Sequence, residues 1–219
     1  MVLEMRNWTI FLDLDDTLVD TSERHYRLYK DVLQKLGGSP LLSKEEFWSL
    51  LRSGQRTINL LPANFSKILV QEFMDEVGRR IEDVKYLKFD ALMSESLAVL
   101  GSLQNEADLV LVTLRHNRKN LFWELEQFHL LNYFKEVLYD SRSLKDKSPL
   151  IFKYLKKAVK SEKMVLIGDS EADLTAGKNL GLITIAFTDG IRSKEVLSGL
   201  EPDFFVDHLS QVLDLLERM

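Results

Sequence analysis

FLDLDDTLVD, residues 11–20, ends an apolar run that begins at Trp8 and Ile10, and it places Asp13, Asp15, Asp16 and Asp20 within eight positions. A short apolar run of this kind reads as a buried strand. Crowded carboxylates repel one another and resist leaving water. A chain that gathers them at a strand end implies a positive partner there. Asp13 and Asp15 are two apart and share one face while the backbone stays extended.

Outward from this stretch, residues 22–36 take a helical period that Gly37 and Gly38 stop. Ser43 and Glu46 form a capping box ahead of a second helix, and residues 66–80 and 90–103 read as two more. No strand is expected between residues 20 and 105. Strands are then expected at 108–113, 136–139, 163–168, 183–187 and 204–206. Helices are expected at 117–128, from Ser148-Pro149 with Ser148 as N-cap, at 170–180 and at the end of the chain. Alternating strands and helices predict an α/β fold, a doubly wound, Rossmann-like parallel sheet. The first strand is cut off from the others by helices. The expected architecture is therefore a core of residues 1–19 and 90–219, with a helical cap, residues 20–89, inserted after the first strand.

The chain has 219 residues, 45% hydrophobic and 29% charged, with a net charge of −5. This profile suits a globular protein with a sizeable core and argues against nucleic acid or an anionic membrane as partner. No cysteine is present, which removes disulfides, thiolate metal sites and cysteine nucleophiles. Neither a signal peptide nor a membrane span is read, and a cytoplasmic location is expected.

Ligands of such sheets bind at the carboxyl ends of the strands. Those ends carry Asp13 and Asp15, Thr113, the loop with Lys145 and Lys147, and Asp169, with Asp173 one helical turn on. Three carboxylates without histidine or cysteine suit a hard cation, Mg²⁺ by default. Thr113 can donate to a phosphate oxygen and Lys147 can neutralise its charge. One carboxylate is left to attack phosphorus and form an acyl phosphate. Asp173 also stands three residues after Ser170, the spacing of a capping box. The histidines show no paired spacing. An EF-hand is excluded, since its sixth and twelfth positions would be Leu18 and Arg24. Neither GxxxxGK[ST] nor GxGxxG occurs.

These motifs resemble those of the haloacid dehalogenase (HAD) superfamily. Asp13-Leu14-Asp15-Asp16-Thr17 resembles its first motif, DxDxT. Thr113 after LVLV resembles the second, Lys147 the third, with Lys145 as the substitute, and GDSEAD at 168–173 the fourth. Asp16 stands where many members have glycine. The resemblance implies that Asp13 is the nucleophile and that Asp15 is the general acid, then the base. It implies that Asp13, the Asp15 main-chain carbonyl and Asp169 hold Mg²⁺, with Asp173 supporting the site from behind. Thr113, the Leu114 amide and Lys147 would bind the phosphoryl group. The second aspartate points to phosphate esters rather than halides. The inserted cap resembles the branch of phosphoglycolate phosphatase and β-phosphoglucomutase, in which a cap loop near a glycine reaches over the substrate. Arg52 and Arg56, flanking Gly54, are the matching candidates for substrate binding; the other reading is a solvated loop. The implied function is Mg²⁺-dependent hydrolysis of a small phosphorylated metabolite through an aspartyl phosphate. A phosphomutase of the β-phosphoglucomutase type, or a non-catalytic binder on the same fold, stands as the alternative.

Overall fold

The computed structural model describes residues 8–139, 144–157 and 163–219. Residues 1–7 of the expected core segment lie outside them. Strand β1 (Trp8–Leu12) leads to β2 (Val19–Asp20), helices α1 (Ser22–Lys35), α2 (Lys44–Arg52), α3 (Lys67–Arg80) and α4 (Val84–Leu87), and β3 (Ala91–Leu92). Then follow α5 (Ser96–Leu103), β4 (Ala107–Val112), α6 (Arg118–Gln127), β5 (Glu136–Leu138), α7 (Ser148–Leu155) and β6 (Lys163–Gly168). The chain ends with α8 (Glu171–Leu180), β7 (Ile183–Phe187), α9 (Lys194–Ser198), β8 (Phe204–Val206) and α10 (Gln211–Arg218).

Among the described residues, six strands form one parallel sheet in the order β5-β4-β1-β6-β7-β8. Helices cover both faces, so β1 is buried along its whole length. Its side chains alternate between two cores. Ile10 and Leu12 join the cluster of Leu121, Leu125 and Val212, while Phe11 joins Ile151, Leu166 and Ala176. β1 lies between β4 and β6, where the order of connection reverses, and ligand crevices open at such a point.

Helices α1 to α4, called the cap below, have an apolar core of their own around Leu28, Val32, Phe47, Phe73 and Tyr86. The cap is fastened to the sheet domain on two sides. On one, the Arg52 guanidinium donates to the carbonyls of Thr188 (2.8 Å) and Gly190, and Arg192 donates to the Leu51 carbonyl (2.8 Å). On the other, Glu82 accepts from the backbone amides of His116 (3.0 Å) and Asn117 (2.7 Å), just ahead of α6.

The structure corrects the sequence reading at several points. β2 and β3 pair antiparallel, Val19 with Leu92 and Asp20 with Ala91, where no strand was expected between residues 20 and 105. Two residues are too few to leave a periodic signal. The helix expected from residue 90 starts at Ser96 because 91–92 are held in this ribbon. α7 takes in Ser148, with Lys147 at the N-cap position, and the Asp146 carboxylate accepts from the Ser148 amide (2.7 Å). The short helices α4 and α9 fall below the length that a period reveals.

α8 approaches β7 closely through Gly177. A Cβ at this position would overlap the Thr184 methyl, and that side chain is fixed by a hydrogen bond to Asp203 (2.8 Å). Gly177→Ala should therefore destabilise by a net ~1–2 kcal/mol in urea unfolding, because overpacking exceeds the alanine propensity gain.

Candidate active site

Asp13 sits one residue past β1, where its amide still bonds to the Ile167 carbonyl of β6 (3.0 Å). The chain then folds back on itself. The amides of Leu18 and Val19 donate to the Leu14 carbonyl, and the Asp16 amide donates to Val19. This tight loop requires the left-handed region at Asp16, φ 58°. Glycine takes that conformation freely, and aspartate tolerates it because its short side chain bonds locally. The Asp16 carboxylate accepts from the Thr21 amide (2.9 Å) and hydroxyl (2.8 Å), which ties the loop to the start of α1. Burial, and then Asp15, push the Asp16 pKa up to about 7.

A crevice of about 280 Å³ opens at the carboxyl ends of β1, β4 and β6. Asp13, Asp15, Thr113, Leu114, Lys147 and Asp169 all line it, as the sequence led one to expect. The Lys147 ammonium, 2% exposed, forms ion pairs with Asp13 and, at 2.5 Å, with Asp173. Lys145 is exposed, so Lys147 is the lysine in the crevice. Thr113 is buried at the end of β4 and its hydroxyl accepts from the Arg115 amide (3.2 Å). Asp169 accepts from the Thr17 hydroxyl (3.2 Å) and the Ile191 amide (2.5 Å). Asp173 both caps and pairs: one oxygen accepts from the Ser170 amide (3.1 Å) and hydroxyl (2.6 Å), while the other faces Lys147.

Arg52 and Arg56 do not line this crevice. Arg52 spends its guanidinium on the carbonyls of Thr188 and Gly190, and Arg56 is exposed on the far side of Gly54. Two other arginines meet Asp15 instead. Arg24 on α1 donates to it at 2.8 Å, and Arg115 donates through Nε (2.9 Å) and a terminal nitrogen (2.5 Å). Arg24 also pairs with Asp90 (3.1 Å), and Arg115 with Glu124 and Asp90. The result is a buried network that ties the cap, Asp90 ahead of β3 and the core together. A signal for it lies in α6: Glu124 shares the apolar face with Leu121 and Leu125, and a charge on a buried face needs a partner. Arg115, two residues after Thr113, supplies it.

The electrostatics divide the site in two. Burial opposes ionisation of Asp15, but Arg115 and Arg24 outweigh it and hold the carboxyl well below its usual range. Asp13 goes the other way. Burial, then repulsion from Asp173, push it up to about 8 despite Lys147. Burial, then Asp13, likewise raise Asp169. Burial would lower Lys147, but Asp13 and Asp173 more than offset it and raise its pKa. Oxygens of Asp13, Asp169 and Asp173 lie within 4.8 Å of one another. One ammonium does not balance three buried carboxylates. The oxygen-only donor set and the suppressed ionisation of Asp13 and Asp169 fit a hard divalent cation.

The sign of the resulting pH dependence is fixed. Asp13, Asp16 and Asp169 have folded pKa values above the 3.8 of the free side chain, so the native state holds protons that the unfolded state has released. Their contribution is full near pH 4 and is lost as pH rises toward 8. In EDTA, the Tm should fall steadily between pH 5 and 8.5; a Tm that rises across this window would contradict the assignment.

Comparison with known proteins agrees with this fold. The family model described as haloacid dehalogenase-like hydrolase matches residues 10–187. The chain is 27% identical over 220 residues to phosphoglycolate phosphatase of Vibrio parahaemolyticus, covering 94% of this chain and 95% of that protein. It is 28% identical over 222 residues to glyceraldehyde 3-phosphate phosphatase of Pyrococcus furiosus, covering 95% and 92%. A haloacid dehalogenase-like hydrolase structure from Streptococcus pneumoniae superposes with a TM-score of 0.80 at 20% identity, covering 95% of this chain and 97% of that one. The Asp13 loop, Thr113, Lys147 and the Asp169–Asp173 turn thus belong to a member of the haloacid dehalogenase-like hydrolase family.

Proposed function

We propose that the protein is a Mg²⁺-dependent phosphatase that hydrolyses a small phosphate monoester through a phosphorylated Asp13. The observation that carries this reading is the meeting of Asp13 and Lys147 in one crevice at the strand ends, a carboxylate nucleophile beside the cation that neutralises the incoming phosphoryl oxygens. The phosphatase names of the relatives support it. Asp13, the Asp15 carbonyl and Asp169 would hold the Mg²⁺ ion, with Asp173 behind them; its positive charge would favour the Asp13 carboxylate at neutral pH and offset the charge of the substrate phosphate.

The chain's own residues then divide the work. Lys147, the Thr113 hydroxyl and the Leu114 amide orient the phosphoryl group toward an Asp13 oxygen. Attack by that oxygen breaks the ester bond and leaves an acyl phosphate on Asp13. Asp15, once protonated, gives that proton to the departing alkoxide and, then a carboxylate, takes a proton from the water that hydrolyses the acyl phosphate. The hold of Arg115 and Arg24 favours its carboxylate, the form that the second half needs. The division into a core of 1–19 and 90–219 and a cap of 20–89 fits this cycle. The cap closes over the substrate and opens for release, bending at the β2–β3 ribbon.

Hydrolysis of p-nitrophenyl phosphate with Mg²⁺ should be abolished by EDTA and fall by several orders of magnitude in Asp13→Asn. Turnover that survives Asp13→Asn would overturn the mechanism. Asp15→Asn should release one equivalent of p-nitrophenolate in a burst and then stall, because this leaving group departs without an acid while the acyl phosphate still needs a base.

A further inference from the structure

The segment between β7 and α9, residues 188–193, touches the end of a cap helix on one side and Asp169 on the other. The last carbonyls of a helix lack intrahelical partners. At the end of α2, the carbonyls of Leu51 and Arg52 accept from the Arg192 guanidinium (2.8 Å) and the Ser193 amide (2.9 Å). The Arg52 guanidinium donates in the other direction, to the carbonyls of Thr188 (2.8 Å) and Gly190. Residues 188–193 are thus stitched to α2 from both partners.

The same residues enclose Asp169. Its carboxylate accepts from the Ile191 amide (2.5 Å). A Cβ at Gly190 would lie 2.3 Å from Asp169 Oδ2 and 2.4 Å from the Asp16 carbonyl oxygen, so the backbone here passes directly against the acid and the Asp13 loop. Arg192 reaches back to Glu171 (2.8 and 3.0 Å), the first residue of α8 and two past Asp169. Ile191 packs its side chain against the cap cluster of Leu28, Phe47 and Tyr86. One residue therefore gives its side chain to the cap and its amide to Asp169.

We infer that Arg52 is a positioning residue for the divalent-cation site, acting through the Thr188 and Gly190 carbonyls to set the Ile191 amide against Asp169. This rests on the metal reading proposed above. The aim of a ligating carboxylate is set by the donors behind it. Asp169 has two, the Thr17 hydroxyl at one oxygen (3.2 Å) and the Ile191 amide at the other. Thr17 comes from the Asp13 loop, whereas Ile191 is carried by the segment that Arg52 grips. The guanidinium bonds are charge-assisted and form the stronger part of that grip. Without them, the Ile191 amide is held in place chiefly by packing of its side chain.

The test measures Mg²⁺ affinity by isothermal titration calorimetry, without substrate. Arg52→Met should weaken binding by about tenfold, the loss typical when support behind a ligand is removed. Arg52→Lys, which keeps the charge and a donor, should fall between, and Arg79→Met, an exposed arginine elsewhere on the cap, should match the wild type. In EDTA, amide hydrogen exchange at Ile191 should quicken about tenfold in Arg52→Met relative to the amides of β4. In p-nitrophenyl phosphate hydrolysis, the half-saturating Mg²⁺ concentration should rise and excess Mg²⁺ should restore turnover. Unmoved Mg²⁺ affinity in a folded Arg52→Met protein would overturn the inference. So would a raised KM for the ester with Mg²⁺ affinity unchanged, which would return Arg52 to substrate binding. Where Arg52→Met does not fold, Arg52→Lys carries the same comparisons. Absence of turnover would count against the phosphatase reading alone, since the affinity and exchange comparisons need no substrate. Wild-type protein that binds no Mg²⁺ would overturn the metal reading and this inference with it.

Discussion

Repulsion among buried carboxylates is the constraint around which this molecule is arranged. Asp13, Asp169 and Asp173 lie within 4.8 Å of one another at the ends of β1 and β6, where water has little access. Such a cluster is unstable on its own terms. Three features hold it. Lys147, placed by the start of α7, sits between two of the three. Backbone and hydroxyl donors from Ser170, Thr17 and Ile191 take up the remaining oxygens of Asp173 and Asp169. Suppressed ionisation of Asp13 and Asp169 removes the rest of the charge. The parallel sheet makes this assembly feasible because each strand delivers one group to the same rim, so no single loop carries the whole cost.

Asp15 belongs to a second electrostatic system. Two residues from Asp13, it turns to Arg24 and Arg115, and through them to Asp90 and Glu124. One side of the crevice therefore sheds its charge by holding protons, and the other balances it with guanidiniums. Their separation over so short a stretch depends on the left-handed turn at Asp16, which redirects the chain immediately after Asp15. A residue with a branched side chain would not take that conformation readily, and one without a carboxylate would lose the tie to Thr21.

Much of this was legible in the sequence. The parallel sheet, the inserted helices and the convergence of Asp13, Asp15, Thr113, Lys147 and Asp169 on one rim follow from apolar runs, turn residues and the polar groups at strand ends. The preference for Lys147 over Lys145 followed from its place just before α7, and Lys147 is the one that lines the crevice. Arg52, by contrast, misled. A guanidinium on a cap loop suits a substrate anion and a pair of backbone carbonyls equally, and only the placement of Thr188 and Gly190 decides. Arg115 and Glu124 form a long-range network, which residue spacing does not encode. The β2–β3 ribbon is too short to show a period.

That ribbon has a further consequence. The chain leaves the sheet domain at Val19–Asp20 and returns at Ala91–Leu92, and the two crossings lie side by side as paired strands. A segment whose ends meet in this way can be exchanged for another of different length without moving β1, provided that a cation replaces Arg24 beside Asp15. The reacting groups come from the sheet, whereas His25, Ile81 and Glu82 come from the segment that can be exchanged. The architecture therefore lets substrate choice diverge across a lineage while the bond-breaking apparatus stays fixed.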